Sequence, residues 1–307
     1  MKIKTISRRK FLNLSGNGLA VSLASGLLLP ASYAVNKKTS TGKNKITAGE
    51  VMDRIKKNVG IPWKTVTVDT IKGGGSPDII VTGITTSFMA TLDVLEKSVK
   101  AGNNFILAHE PTFWTNLDLG EGLDGDPLYR YKQEFITKNN LFVHRFHDNW
   151  HARKPDGIDE GWKKVMGWNN YKFDEAHKVY ELPQEITLEA YAKEVKTRLQ
   201  SDSVRVLGDP LLKVKTVSKG SNKVPDTGAP FPDVTIQYEP DRENTNIEWE
   251  RDMIASGQQK GFIIVSHNKL EEAGMDNCAT WLRIFVSEVP ITFIPSGDPF
   301  WRTVKKQ

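Results

Sequence analysis

Six histidines serve a chain of 307 residues, and four of them lie within or directly after two short apolar runs. His109-Glu110-Pro111 follows Phe105-Ile106-Leu107-Ala108, and His147-Asp148-Asn149-Trp150-His151 follows Leu141-Phe142-Val143-His144. A fifth, His267, closes Phe262-Ile263-Ile264-Val265-Ser266, with Glu271 and Glu272 close behind. Imidazole beside carboxylate suits zinc, manganese, iron or nickel, and no thiolate is at hand to favour a softer ion. His267 and Glu271 are four apart, so a helix starting there would put both on one face. Carboxylates can bridge two ions, and ions about 3.5 to 4 Å apart can hold an activated water between them. The spacing predicts a divalent-metal site assembled from three strand ends.

Strand ends need strands. Phe105–Ala108, Leu141–Val143 and Phe262–Val265 are wholly apolar and predict central strands covered on both faces. Around them the pattern predicts helices over 48–58 (capped by Thr47), 87–101, 127–139, 159–166, 188–200, 244–257 and 272–285. Further strands are expected over 64–70, 79–82, 204–207, 214–217, 234–238 and 291–294, with a turn at Gly73–Asp78 and a long loop over 219–232. Strand–helix repetition is an α/β signature. The layout predicts two α/β lobes, roughly 47–170 and 210–307, joined by a crossing region over 171–209. Open α/β sheets bind ligands at the carboxyl ends of their strands, where these histidines fall.

Composition narrows the classes. The formal charge of +5 is misleading, because Lys2, Lys4, Arg8, Arg9 and Lys10 stand in residues 1–34 without a single acid. Without them the chain is near neutral, which argues against a nucleic-acid partner. Those residues also resemble a twin-arginine export signal: Arg8-Arg9, a weakly apolar stretch over 14–29, and a small-residue site at Ser32-Tyr33-Ala34. This predicts a removed signal (1–34), passage through the twin-arginine translocase, and a periplasmic or secreted protein, with residues 35–46 as a flexible tether. The single cysteine, Cys278, excludes an intramolecular disulfide and reads as a buried small hydrophobe. Gly73-Gly74-Gly75 lacks the Lys-Ser or Lys-Thr of a phosphate-binding loop. His144 reads as a core residue and His177 as a surface one, while Phe113, Trp114 and Trp150 flank the expected cleft.

Four segments together resemble the Nif-three-like dinuclear-metal-centre family, whose members are described as type 2 homologues of GTP cyclohydrolase I. They are Ala101–Pro111, His147–His151, the stretch from Leu182-Pro183 through Thr187-Leu188-Glu189 to Val206–Pro210, and Ser266–Glu271, with Phe293-Ile294 and Asp298-Pro299-Phe300 matching the family's ending. The resemblance implies two Nif-three-like lobes with mixed β-sheets and a metal site in the cleft between them. It implies His109, Glu110, His151, His267 and Glu271 as ligands of two ions, with Glu271 the bridge. Two of these positions depart from the family pattern: Glu110 stands where a second histidine is usual, and His151 where an aspartate is usual. The exchange is reciprocal in type. His147 is then a group orienting a ligand or substrate, and Asp148 a reserve carboxylate able to swing in. Tyr238-Glu239 occupies the place of a Gly-Glu pair, making Glu239 a candidate general base. The resemblance also implies self-association, as trimers or toroidal hexamers. Two functions remain open at this point: a metal-dependent hydrolase of a small substrate, or a non-enzymatic metal-binding or assembly protein.

Overall fold

Short apolar runs flanked by capped helices become strands and helices in alternation. A computed structural model describes residues 45–115, 117, 118, 120, 122–220, 231–239 and 246–298, all within one unit spanning Lys43–Gln307. The expected export signal (1–34) and nearly all of the expected tether (35–46) lie outside the described residues. The first part of the chain runs α1 (Ala48–Asn58), β1 (Ile71–Gly74), β2 (Ile84–Ser87), α2 (Leu92–Lys100), β3 (Phe105–Ala108), α3 (Pro127–Lys138), β4 (Phe142–Arg145), α4 (Asp148–Ala152) and α5 (Gly157–Met166). It continues with β5 (Lys172–Asp174), β6 (Val179–Thr187), α6 (Leu188–Leu199), β7 (Arg205–Leu207), β8 (Lys213–Lys219), β9 (Val234–Tyr238), α7 (Asn246–Ala255), β10 (Gly261–Val265), α8 (His267–Leu282) and β11 (Ile291–Phe293).

Two sheets result. The first has the order β1-β4-β3-β2-β11, the second β5-β6-β8-β9-β10-β7. Strands β2, β3 and β4 are parallel neighbours, buried at every residue, and in register at their ends: Ser87 pairs with Ala108, and Ala108 with Arg145. The residues that follow each strand therefore emerge side by side. In the second sheet Val265 pairs with Tyr238 in parallel, which sets Glu239 beside Ser266. Residues 171–209, read from the sequence as a crossing region, supply β5, β6, α6 and β7 to the second sheet, and β11 near the C-terminus joins the first sheet beside β2.

Helix α8 ties the sheets together. Its first turns pack Leu270 into the core of the second sheet, while Met275, Cys278, Ala279 and Leu282 enter the core of the first. Thr86 on β2 donates its hydroxyl to the Met275 carbonyl at 2.8 Å. Helices α5 and α8 touch backbone to backbone. A Cβ on Gly161 would meet the Ala273 carbonyl oxygen at 2.2 Å, and one on Gly274 the Ile158 Cα at 2.5 Å, so only glycine permits the contact. Among the described residues no helix is long and apolar enough to cross a membrane.

The structure corrects several local expectations. Residues 64–70 alternate like a strand but form none, because their backbone donates to a neighbouring helix. Lys64 N–H goes to Asn149 Oδ1 at 3.0 Å and Val68 N–H to Asp148 Oδ2 at 3.1 Å. The expected turn at Gly73–Asp78 is in part the edge strand β1, pressed so close to its neighbour that a Cβ on Gly74 would overlap the Leu141 carbonyl. Residues 79–82 pair only briefly with the start of α1, through Ala48 N–H to the Ile79 carbonyl and Val81 N–H to the Ile46 carbonyl, and the true strand follows as β2. Thr47 caps α1 in a reciprocal capping box with Glu50, as expected. Helix α8 begins at His267, five residues before the predicted start.

Candidate metal centre

His109 leaves the end of β3 and is completely buried. Its Nδ1 lies 3.1 Å from the Phe146 carbonyl oxygen, which can only accept, so Nδ1 carries the proton and Nε2 offers a lone pair. His147 and His151 are set the same way by carboxylates: Nδ1 of His147 lies 2.9 Å from Asp148 Oδ1, and Nδ1 of His151 lies 2.9 Å from Asp156 Oδ2. The three rings crowd together, with centroids 4.5, 5.0 and 4.8 Å apart. One ligand nitrogen from each lies within 4.8 Å of the other two. A carboxylate or carbonyl behind each imidazole is the usual way a metal-binding histidine is oriented.

The opposite wall comes from α8. His267 and Glu271 lie one helical turn apart, with Nε2 and Oε2 at 3.1 Å. The same Glu271 oxygen is 3.3 Å from His109 Nε2; with the proton on Nδ1 the two atoms face each other as acceptors, and both are buried without a hydrogen-bond partner. Glu110 completes the group, with Oε1 3.7 Å from His267 Nε2 and 3.8 Å from His147 Nε2. His109, Glu110 and Glu271 form a second cluster able to hold an ion. A tetrahedral zinc site with Zn–N of about 2.05 Å places its ligand atoms about 3.3 Å apart. The spacings here, from 3.1 to 3.8 Å, fall around that value, and the donor set fits divalent ions.

Charge follows geometry. Burial opposes protonation of His109 and His147 and lowers both below the ordinary imidazole range. Burial acts the same way on His151 and His267, but the Asp156 carboxylate beside the first and the Glu271 carboxylate beside the second outweigh it and raise them. For Glu271 burial works against ionisation, yet His109 and His267 together hold its carboxyl well below the usual range. Asp148 feels the same opposition and is held at about 2 by His147, Val68 and Thr67.

Of the residues singled out in the sequence, the structure brings His109, Glu110, His147, His151, His267 and Glu271 into one cluster. His147 stands among the possible ligands and not only behind them. Asp148 is not held in reserve: Oδ1 is engaged by His147, and Oδ2 accepts from the Thr67 hydroxyl and Val68 N–H. Glu239 lines the same cleft, with Oε2 buried and without a hydrogen-bond partner. Trp114 lines the cleft too and is half exposed, whereas Phe113, Trp150 and His144 are buried and His177 pairs with Asp174 at the surface. The cleft holds about 1250 Å³.

Three residues that position the site, Asp69, Arg145 and Asp156, were not singled out in the sequence. Asp69 is buried and accepts four hydrogen bonds at 2.7–2.9 Å: the His147, Asp148 and Asn149 backbone N–H groups and the Asn149 side chain. It anchors the N-terminus of α4, the short helix that carries His151. Arg145, also buried, donates to the His109 carbonyl and to Glu110 Oε2, each at 3.0 Å. Asp69 lies some 80 positions before its partners, so no local signal marks it. Asp156, five residues beyond His151, was within reach of a spacing argument.

Fold and site together define an α/β protein with a candidate two-ion metal centre in the cleft between its sheets. The model of the family described as Duf34/NIF3 (NGG1p interacting factor 3) matches residues 43–221, and the chain belongs to that family. It is similar to the protein of Clostridium acetobutylicum called GTP cyclohydrolase 1 type 2 homolog, with 28% identity over 145 residues, covering 44% of this chain. The chain spans about half the length of that curated relative, 53%. Among solved structures, a Staphylococcus aureus hypothetical protein superposes with a TM-score of 0.63 at 18% identity, over 84% of this chain and 100% of its own. A Bacillus cereus protein related to NIF3 gives 0.64 at 15% identity, over 84% and 99%. At such identities these two share the fold.

Proposed function

We propose that this chain is a metal-dependent hydrolase acting on a small substrate in the cleft between its sheets. One observation carries the reading: His109 Nε2 and Glu271 Oε2, two buried acceptors, face each other at 3.3 Å with no hydrogen bond. Burying such a pair is costly unless a cation lies between. His109, Glu110, His147, His151, His267 and Glu271 would hold divalent ions, which supply Lewis acidity and lower the pKa of water. The remaining chemistry belongs to the chain. Arg145 fixes one oxygen of Glu110 and leaves the other facing the cluster. Glu239, which lines the cleft and keeps a buried carboxylate oxygen without a partner, would accept a proton from the nucleophile and return it to the leaving group.

The test is turnover by the metal-loaded full chain across phosphoester, nucleotide, peptide and lactam panels. We expect activity that chelation abolishes and added metal restores, reduced about 10²- to 10⁴-fold in Glu239→Gln with metal content unchanged. A fully loaded protein that turns over nothing would establish the second reading, a non-enzymatic metal-binding or assembly protein. The departures of Glu110 and His151 from the family's ligand pattern favour that alternative. Export to the periplasm or medium is proposed from residues 1–34 alone, and cell fractionation of the full chain against an Arg8→Lys, Arg9→Lys variant tests it. A homotrimer or homohexamer is proposed from the family resemblance, with light scattering as the test.

A further inference from the structure

The two halves of the donor set are chemically unequal. His109, His147 and His151 form an all-imidazole triad. Each Nδ1 in it is taken up by the Phe146 carbonyl, Asp148 or Asp156, which leaves only Nε2 for an ion. Because His109 has one nitrogen to give, it serves one ion and cannot join both clusters at once. The other half then consists of Glu110, His267 and Glu271, with His267 Nε2 at 3.7 Å from Glu110 Oε1 and 3.1 Å from Glu271 Oε2. Imidazole nitrogen suits ions of the zinc class, whereas carboxylate oxygen suits harder ions such as manganese(II) or magnesium.

We infer that this chain holds two different elements: an ion of the zinc class on His109, His147 and His151, and a harder, oxygen-preferring ion on Glu110, His267 and Glu271. The inference rests on the metal-centre reading above. His151 is the residue that creates the difference. An aspartate in its place would give each half a carboxylate and bring the two closer in preference. Glu271 Oε2, within 3.3 Å of both His109 and His267, stands where the halves meet.

Anomalous diffraction tests this on the full chain loaded with one equivalent of zinc(II) and about a tenfold excess of manganese(II). Zinc outcompetes manganese at most sites, so its choice between the halves is the informative quantity. We expect the zinc signal in the histidine triad, favoured by about tenfold or more over the carboxylate half, with the manganese signal in the carboxylate half. Electron paramagnetic resonance should then show isolated manganese(II) and no manganese pair. In His151→Asp, checked for an unchanged circular dichroism spectrum, zinc should spread over both halves to within about threefold. Zinc shared equally in the wild type, zinc in the carboxylate half, or zinc still confined to the triad side in His151→Asp would each overturn the inference while leaving a metal centre standing. Failure to retain either ion after desalting would overturn the inference and the metal-centre reading together.

Discussion

The donors carried by the first sheet and those carried by the second are held in different ways. On the first-sheet side His109, His147 and His151 each have a partner behind the ring, and α4 is pinned through four hydrogen bonds to Asp69. On the second-sheet side His267 stacks on Tyr238 with centroids 4.2 Å apart, while Glu271 and Glu239 each keep a buried oxygen with no hydrogen-bond partner. One wall is braced before any ion arrives. The other presents bare acceptors that an ion would complete. A bracing network fixes geometry and affinity, whereas unpaired carboxylates respond to whatever cation is supplied.

Asp69→Ala should strike hardest at the braced wall. It leaves three backbone N–H groups and an amide buried without their acceptor, at a cost of about 3 to 5 kcal/mol. Urea unfolding of the metal-free protein measures this. The comparison breaks if Asp69→Ala unfolds at the wild-type midpoint.

Acid should also act first from within the braced sheet. Burial pushes His144, on β4, down to about 4. The unfolded chain then binds more protons than the folded one between pH 6.5 and 4, so stability is full above 6.5 and falls as the pH drops through that window. The loss approaches about 3 kcal/mol. Unfolding midpoints across this range should flatten in His144→Gln, and an unchanged slope would remove His144 from the account.

Arg145→Gln tests how far the bracing reaches across the cleft. Glu110 loses its charged partner, and metal affinity should fall by about 10-fold, as outer partners of ligands typically cost. Competition with a chelating dye reads the change. A fall confined to the imidazole side would separate Glu110 from the site. His177→Ala is expected to do nothing to metal stoichiometry, because His177 pairs with Asp174 at the surface; any loss of metal there would mean that the sixth histidine belongs to the comparison.

Much of this was written locally. Four-residue apolar runs such as Phe105–Ala108 are too short for helices and read as covered strands, and the residues after them emerge at the carboxyl ends where open α/β sheets bind ligands. The i, i+4 spacing of His267 and Glu271 made them neighbours once a helix began there. The reciprocal exchange at Glu110 and His151 was visible by type. Tertiary structure decided the rest, because hydrogen-bond partners distant in sequence leave no periodic trace. Residues 64–70 carried a strand pattern, yet gave their backbone to Asp148 and Asn149. Asp69 anchors α4 from some 80 positions away. Which imidazole nitrogen faces the cleft depended on Phe146, Asp148 and Asp156, and the pairing of His109 with Glu271 depended on α8 packing into the cores of both sheets. Spacing along the chain determines which residues can share a face; only packing determines which faces meet.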